Sequence, residues 1–192
     1  MEAVETELLE TEVPPVARVP MTKAQFLAWE PEDGFLYEFD NGYAEQTTGM
    51  KKSERPLIRA IQMAFQQTTA FAENAMLFEE TEVWVSEEQM RIPDVAFFTD
   101  AQIRASGEAA EPIPTFVVEL ISPTDRADKV EQKMVEYFAA GVQVLWYVYP
   151  ALRMVRVFTS VRHSTTFFEN ESFDAAPALP DLHLTVAELF TP

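Results

Sequence analysis

The segment Phe116-Val-Val-Glu119-Leu-Ile-Ser122-Pro123-Thr124-Asp125 leads into Arg126-Ala-Asp128-Lys-Val130-Glu-Gln-Lys133-Met134-Val-Glu-Tyr137-Phe138-Ala-Ala-Gly141, and then into Val142-Gln-Val-Leu-Trp146-Tyr-Val-Tyr149-Pro150. Its two ends are apolar runs of strand length. Between them Val130, Met134, Tyr137 and Phe138 recur at three- and four-residue spacing, the period of one helix face. Asp125 and Asp128 suit the positive end of a helix dipole and Gly141 suits the position just past a helix end, so the spacing predicts a helix from about Asp125 to Gly141. Strand, helix, strand in this order places the chain in the α/β class.

One residue of the first strand does not belong in an apolar interior. An ionised carboxylate buried without partners costs several kcal/mol, so Glu119 must be paired, protonated or bound to a metal. The same anomaly recurs upstream in Arg91-Ile-Pro-Asp94-Val-Ala-Phe-Phe98, where Asp94 stands alone. Strand runs near 76–86, 91–98 and 115–121, separated by a short helix or loop from Asp100 to Pro114, make neighbours of the Asp94 and Glu119 strands. An Asp and a Glu on adjacent strands can hold a hard divalent cation such as Mg²⁺ or Mn²⁺ between them. Lys133, three residues after Val130 and four before Tyr137, lies at the edge of the inward stripe and can reach over the sheet. A structural reading stands beside this one: Asp94 caps a turn, Glu119 pairs with an arginine, and Lys133 is a surface lysine beside Glu131 and Glu136.

The rest of the chain fills in around this unit. Thr22 and Gln25 make a capping box for a short helix with Phe26, Leu27 and Trp29. Phe35, Tyr37 and Phe39 alternate with Leu36, Glu38 and Asp40 ahead of Asn41-Gly42, the preferred dipeptide of a tight hairpin, which sets Glu38 on a hairpin strand. Leu57, Ile61, Phe65, Thr68 and Ala72 predict one helix from Ser53 whose stripe packs on a sheet. Beyond Tyr149, further strands are expected at 152–160 and 163–168, and Thr185 with Glu188 caps a final turn.

Composition sets outer bounds. A chain of 192 residues with 47% apolar content and 15 Phe supports one domain with a real core. Residues 21–192 are read as that domain, behind an acidic arm over residues 1–20 that carries five Glu against one Arg and is unlike a secretory signal. A cytoplasmic protein with no membrane span is expected. With no Cys, disulfides and thiolate metal sites are excluded, and only His163 and His183 remain as imidazole ligands or bases, which argues against a zinc site. No nucleophile elbow or Gly-rich phosphate loop occurs, and the chain is short for a glycosidase. The formal charge of −18 opposes binding to polyanions at long range. Locally, Lys51, Lys52, Arg55 and Arg59 offer a basic segment, either as nucleic-acid contacts or as solvated surface.

The ordered motifs Tyr37-Glu38-Phe39-Asp40-Asn41-Gly42, Arg91-Ile-Pro-Asp94, Val117-Val-Glu119-Leu-Ile-Ser122-Pro123 and Lys133-Met-Val-Glu-Tyr137-Phe-Ala-Ala-Gly141-Val142, leading to Trp146, resemble the Uma family of restriction-endonuclease-like proteins in the PD-(D/E)XK superfamily. The resemblance covers about Thr22 to Pro150. It implies a mixed central sheet flanked by helices, with an N-terminal hairpin and additional C-terminal strands. Asp94 and Glu119 match the family's metal-binding carboxylates, for Mg²⁺ or Mn²⁺. Ile121 stands where the superfamily has its lysine, and Lys133 matches the family's lysine on the following helix. Glu38 matches a further acidic member of the site. Tyr137 is expected beneath Lys133 or holding its ammonium. Two positions depart from the family: Glu54 and Arg55 stand where a His often opens the helix, and Tyr149 where an acidic residue often precedes the proline. The function implied is metal-dependent hydrolysis of nucleic acid, DNA foremost; a homodimer is expected for this reading and for its alternative, since two active sites cut two strands and a module can pair through its apolar C-terminal strands. The alternative is a nuclease-like domain without catalysis that serves as a protein-interaction or regulatory module.

Overall fold

The computed structural model describes residues 17–47, 49–107 and 111–191. Residues 1–16, most of the expected acidic arm, and residues 108–110 of the expected loop lie outside the described residues.

The chain begins with strand β1 (Arg18–Pro20) and helix α1 (Lys23–Leu27), which carries the Thr22/Gln25 capping box. Strand β2 (Leu36–Asp40) turns into β3 (Tyr43–Thr47) through Asn41 and Gly42, whose φ values of 48° and 84° are those of the hairpin turn that this dipeptide favours. Then follow α2 (Arg55–Phe65), α3 (Thr69–Ala72), β4 (Met76–Glu79), β5 (Val83–Ser86), β6 (Gln89–Arg91), β7 (Val95–Phe98) and α4 (Asp100–Ala105). The second half comprises β8 (Phe116–Leu120), α5 (Ala127–Ala140), β9 (Val144–Tyr149), β10 (Met154–Ser160), β11 (His163–Phe168), β12 (Ser172–Ala175), β13 (Leu179–Thr185) and α6 (Val186–Phe190).

Six strands form a central mixed sheet in the order β11-β10-β9-β8-β7-β4. Only β8 and β9 are parallel, joined through α5, and every other neighbouring pair is antiparallel. The hairpin belongs to a second sheet, β1-β3-β2-β6-β5, and β12 pairs with β13. The two faces of the central sheet bury different partners. Phe116, Val118, Trp146 and Val148 pack toward α2, α6 and the β12–β13 pair. There Trp146 lies edge-on to both Phe116 and Phe173, each 4.7 Å away between ring centroids, interactions worth about 0.5–1.5 kcal/mol apiece beyond their area. Val117, Leu145 and Tyr147 face the opposite way, toward Met134 and Tyr137 of α5 and Val83 and Val85 of β5. Glu119, two residues beyond Val117, points to this second face.

Four details differ from the sequence reading. The helix expected to run unbroken from Ser53 to Ala72 stops at Phe65, because Thr68 leaves the helical path and its hydroxyl caps α3 by accepting from the Phe71 N–H. The run 76–86 divides at Glu80, whose φ is 48°, and sends β4 and β5 into different sheets. Residues 91–98 divide likewise, with Ile92-Pro93-Asp94 carrying the chain from the second sheet to the central one. Helix α5 starts at Ala127 rather than near Asp125, since the Asp125 carboxylate is engaged by the Ser122 N–H at 2.8 Å. Its end is as expected: Gly141 adopts φ 115°, a left-handed conformation costly for any residue with a Cβ. No described helix is long and apolar enough to cross a membrane.

Candidate active site

Asp94 owes its position to the break between β6 and β7. The antiparallel register pairs Val95 with Val118 and Ala96 with Val117, so the next pair outward is Asp94 with Glu119. Pro93 lacks an N–H and helps to end the ladder there. The Asp94 side chain then takes the place of a strand, its Oδ2 accepting from the Leu120 N–H at 2.6 Å. Across from it, Glu119 Oε1 accepts from the Tyr137 hydroxyl at 2.7 Å and lies 4.0 Å from Lys133 Nζ. Lys133 donates to Glu38 Oε1 at 2.7 Å, and the same oxygen accepts from the Ile92 N–H at 3.0 Å. Asp94, Glu119, Lys133, Glu38 and Tyr137 therefore converge from the crossing just before β7 and from β8, α5 and β2. The Tyr137 hydroxyl serves Glu119 rather than the Lys133 ammonium.

Two features keep this cluster in register. Glu38 and Asp40 share a face of β2, about 7 Å apart along the strand, while Lys133 and Lys129 lie one turn apart on α5, about 6 Å along its axis. The two spacings match, and Lys129 Nζ lies 3.6 Å from Asp40 and 3.1 Å from Glu45. Arg91 closes the arrangement. Only 3% exposed, it donates to Glu136 at 2.7 Å, to Asp40 at 3.2 Å and to the Phe39 carbonyl at 3.1 Å. The sequence offers Arg91 and Asp40 only as members of motifs and Glu136 only as a neighbour of Lys133, without a role in the site. The Glu-x-Asp period on β2 facing a Lys-x-x-x-Lys period on α5 was the available signal.

The electrostatics follow from crowding. Burial, and then the Glu119 charge, push the Asp94 carboxyl up to about 8. Burial raises Glu119 as well, against the pull of Lys133. Burial alone would lower the Lys133 ammonium, but Glu119 and Glu38 reverse this and hold it above the ordinary lysine range. Asp40 is raised by burial and then carried below the ordinary carboxylate range by Gln89 and Arg91.

The model of the Uma2 family, described as "Putative restriction endonuclease", matches residues 24–187. This chain belongs to the Uma2 family. A crystal structure of a "putative nuclease belonging to DUF820" from Anabaena variabilis ATCC 29413 superposes with a TM-score of 0.75 at 20% identity, over 90% of this chain and 98% of that one. No curated protein matches the chain significantly. The shared fold is the mixed α/β sheet with flanking helices and extra antiparallel strands that the resemblance implied.

Within this Uma2 chain the donor chemistry fits a hard cation. Among the described residues no three His, Asp or Glu side chains are gathered closely enough to hold an ion. Mg²⁺, however, is commonly bound by one or two carboxylates with water and phosphate oxygens completing its shell. Asp94 Oδ1 and Glu119 Oε2 accept no hydrogen bond from the described residues, so one oxygen of each carboxylate is unclaimed by them.

The basic segment borders this centre. Lys51 donates to Ser122 Oγ at 3.2 Å, three residues past Glu119. Lys52, Arg55 and Arg59 are exposed and form no ion pair among the described residues. Glu54, at the start of α2, is near enough for its charge to help raise Asp94.

Proposed function

We propose that this Uma2 protein is a divalent-metal-dependent endonuclease that hydrolyses phosphodiester bonds, with DNA as substrate. The observation that carries this reading is the opposed placement of Asp94 and Glu119, two carboxylates each with one oxygen unclaimed by the described residues, beside the part-buried ammonium of Lys133. Asp94 and Glu119 would hold Mg²⁺ or Mn²⁺, which when bound supplies Lewis-acid polarisation of the phosphodiester. The Lys133 ammonium provides positive charge where negative charge grows on the attacked phosphate. Glu38 fixes that ammonium, and the Tyr137 hydroxyl fixes the rotamer of Glu119, as supporting groups around metal ligands do. Lys51, Lys52, Arg55 and Arg59 receive the phosphate backbone on the α2 side.

The charge of −18 favours a second reading, a nuclease-like module that binds a protein partner and does not cut. Incubation of the purified chain with supercoiled DNA, single-stranded DNA and RNA, in Mg²⁺, Mn²⁺ or EDTA, separates the two. Metal-dependent cleavage supports the nuclease. No cleavage of any substrate, together with no calorimetric metal binding, supports the module.

A further inference from the structure

A cleft of about 320 Å³ opens beside the proposed centre, lined by Ile121, Ser122, Asp125, Val130, Tyr149 and Leu152 among others. Two elements lead into it from the charged cluster. Just past the end of β8, Ile121 follows Glu119 at the two-residue period, about 7 Å further along, its N–H still donating to the Val148 carbonyl of β9. On α5, Val130 lies one turn before Lys133 on the same stripe. Ser122 joins the two sides, since it lines the cleft and its hydroxyl accepts from Lys51 of the basic segment.

The lining chemistry selects an occupant. Ile121, Val130, Tyr149 and Leu152 present apolar and aromatic surface, and Leu152 is 64% exposed with nothing described covering it. Among the described lining residues the only charged side chains are Asp125 and Glu131, which repel a phosphate but can accept from an amino group. At the small end of ligand-pocket volumes, the cleft has room for one flat ring system and not for a base pair. Resting on the nuclease reading, we propose that this cleft receives one unpaired nucleobase next to the scissile phosphate, so that the substrate is a single strand or a duplex with a base turned out of its stack. The backbone crosses from the basic segment over Asp94 and Glu119, and the adjacent base leaves the solvent against Tyr149 and Leu152, as bases do on the apolar platforms of single-strand binders.

The test uses a 12-nucleotide oligodeoxynucleotide carrying 2-aminopurine, alone and annealed to its complement, with the RNA of the same sequence as a parallel arm. Binding is followed with the Asp94→Asn protein and cleavage with the otherwise wild-type chain, each with and without Leu152→Asp or Ala127→Phe; both positions are exposed and line the cleft. The expected result is a changed 2-aminopurine emission on binding the single strand, and a rise of roughly tenfold in Kd and in KM in both variants with kcat little altered. Single-strand selectivity in binding without any cleavage would sustain the cleft and sink the nuclease. Equal cleavage of single strand and duplex, unaffected by either variant, would overturn the cleft and leave the nuclease standing.

Discussion

Asp94 and Glu119 occupy opposed positions at the point where the β7–β8 ladder ends, and the Asp94 carboxylate caps that end by accepting from Leu120. The pair is crowded by burial and by its own like charge, an arrangement that persists only if something else is gained from it.

The crowding predicts a pH signature in the metal-free protein. The folded-state value of Asp94, about 8, lies above its ordinary 3.8, so between those limits the folded chain holds a proton that the unfolded chain has released. Stability from this group is full below about pH 4 and declines as pH rises toward 8. Melting temperatures measured in EDTA from pH 5 to 8 should fall, and Asp94→Asn should flatten that slope. An identical slope in the variant would refute the assignment.

Tyr137→Phe removes one hydroxyl and leaves Glu119 Oε1 without its 2.7 Å donor. The expected cost is about 1–3 kcal/mol in urea unfolding. Cleavage should drop about 10- to 100-fold, the usual effect of losing a group that orients a metal ligand. Activity retained at wild-type level would show that the hydroxyl is only structural.

Arg91→Met should be the most destabilising of these changes. It leaves Glu136, Asp40 and Glu38 facing one another without their shared guanidinium. Losing one partner of a buried ion network costs about 3–5 kcal/mol. Denaturant titration gives the number, and a loss below about 1 kcal/mol would mean that water replaces the guanidinium.

Arg55→Ala with Arg59→Ala touches only exposed side chains, so the fold should be unchanged by circular dichroism. Affinity for DNA should weaken, and the slope of log K against log salt should become shallower by about one for each phosphate that is no longer neutralised. An unaltered slope would place the backbone elsewhere.

Much of the framework was legible because local chemistry agreed with the final fold. Asn41-Gly42 turns the hairpin, Gly141 ends α5, and the capping boxes at Thr22 and Thr185 start helices where they were expected. Asp94 and Glu119 stood out as charges in apolar runs, and the fold brings both to one point with Lys133 and Glu38. What local pattern could not give was the division of apolar runs between sheets. Ile92-Pro93-Asp94 reads as strand whether it continues a ladder or crosses between two, because a short apolar run has the same alternation in either case. The partners of Arg91 escaped for another reason. Asp40 and Glu136 lie 51 and 45 residues away, and only tertiary packing reveals that they meet.

The most direct measurement is nicking of supercoiled DNA in Mg²⁺ or Mn²⁺ by wild type, Asp94→Asn and Glu119→Gln, with thermal stability recorded on the same samples. Both substitutions keep volume and remove charge, so cleavage should vanish while the metal-free variants melt at or above the wild-type temperature. Undiminished, metal-dependent cleavage by both well-folded variants would contradict a catalytic centre at Asp94 and Glu119.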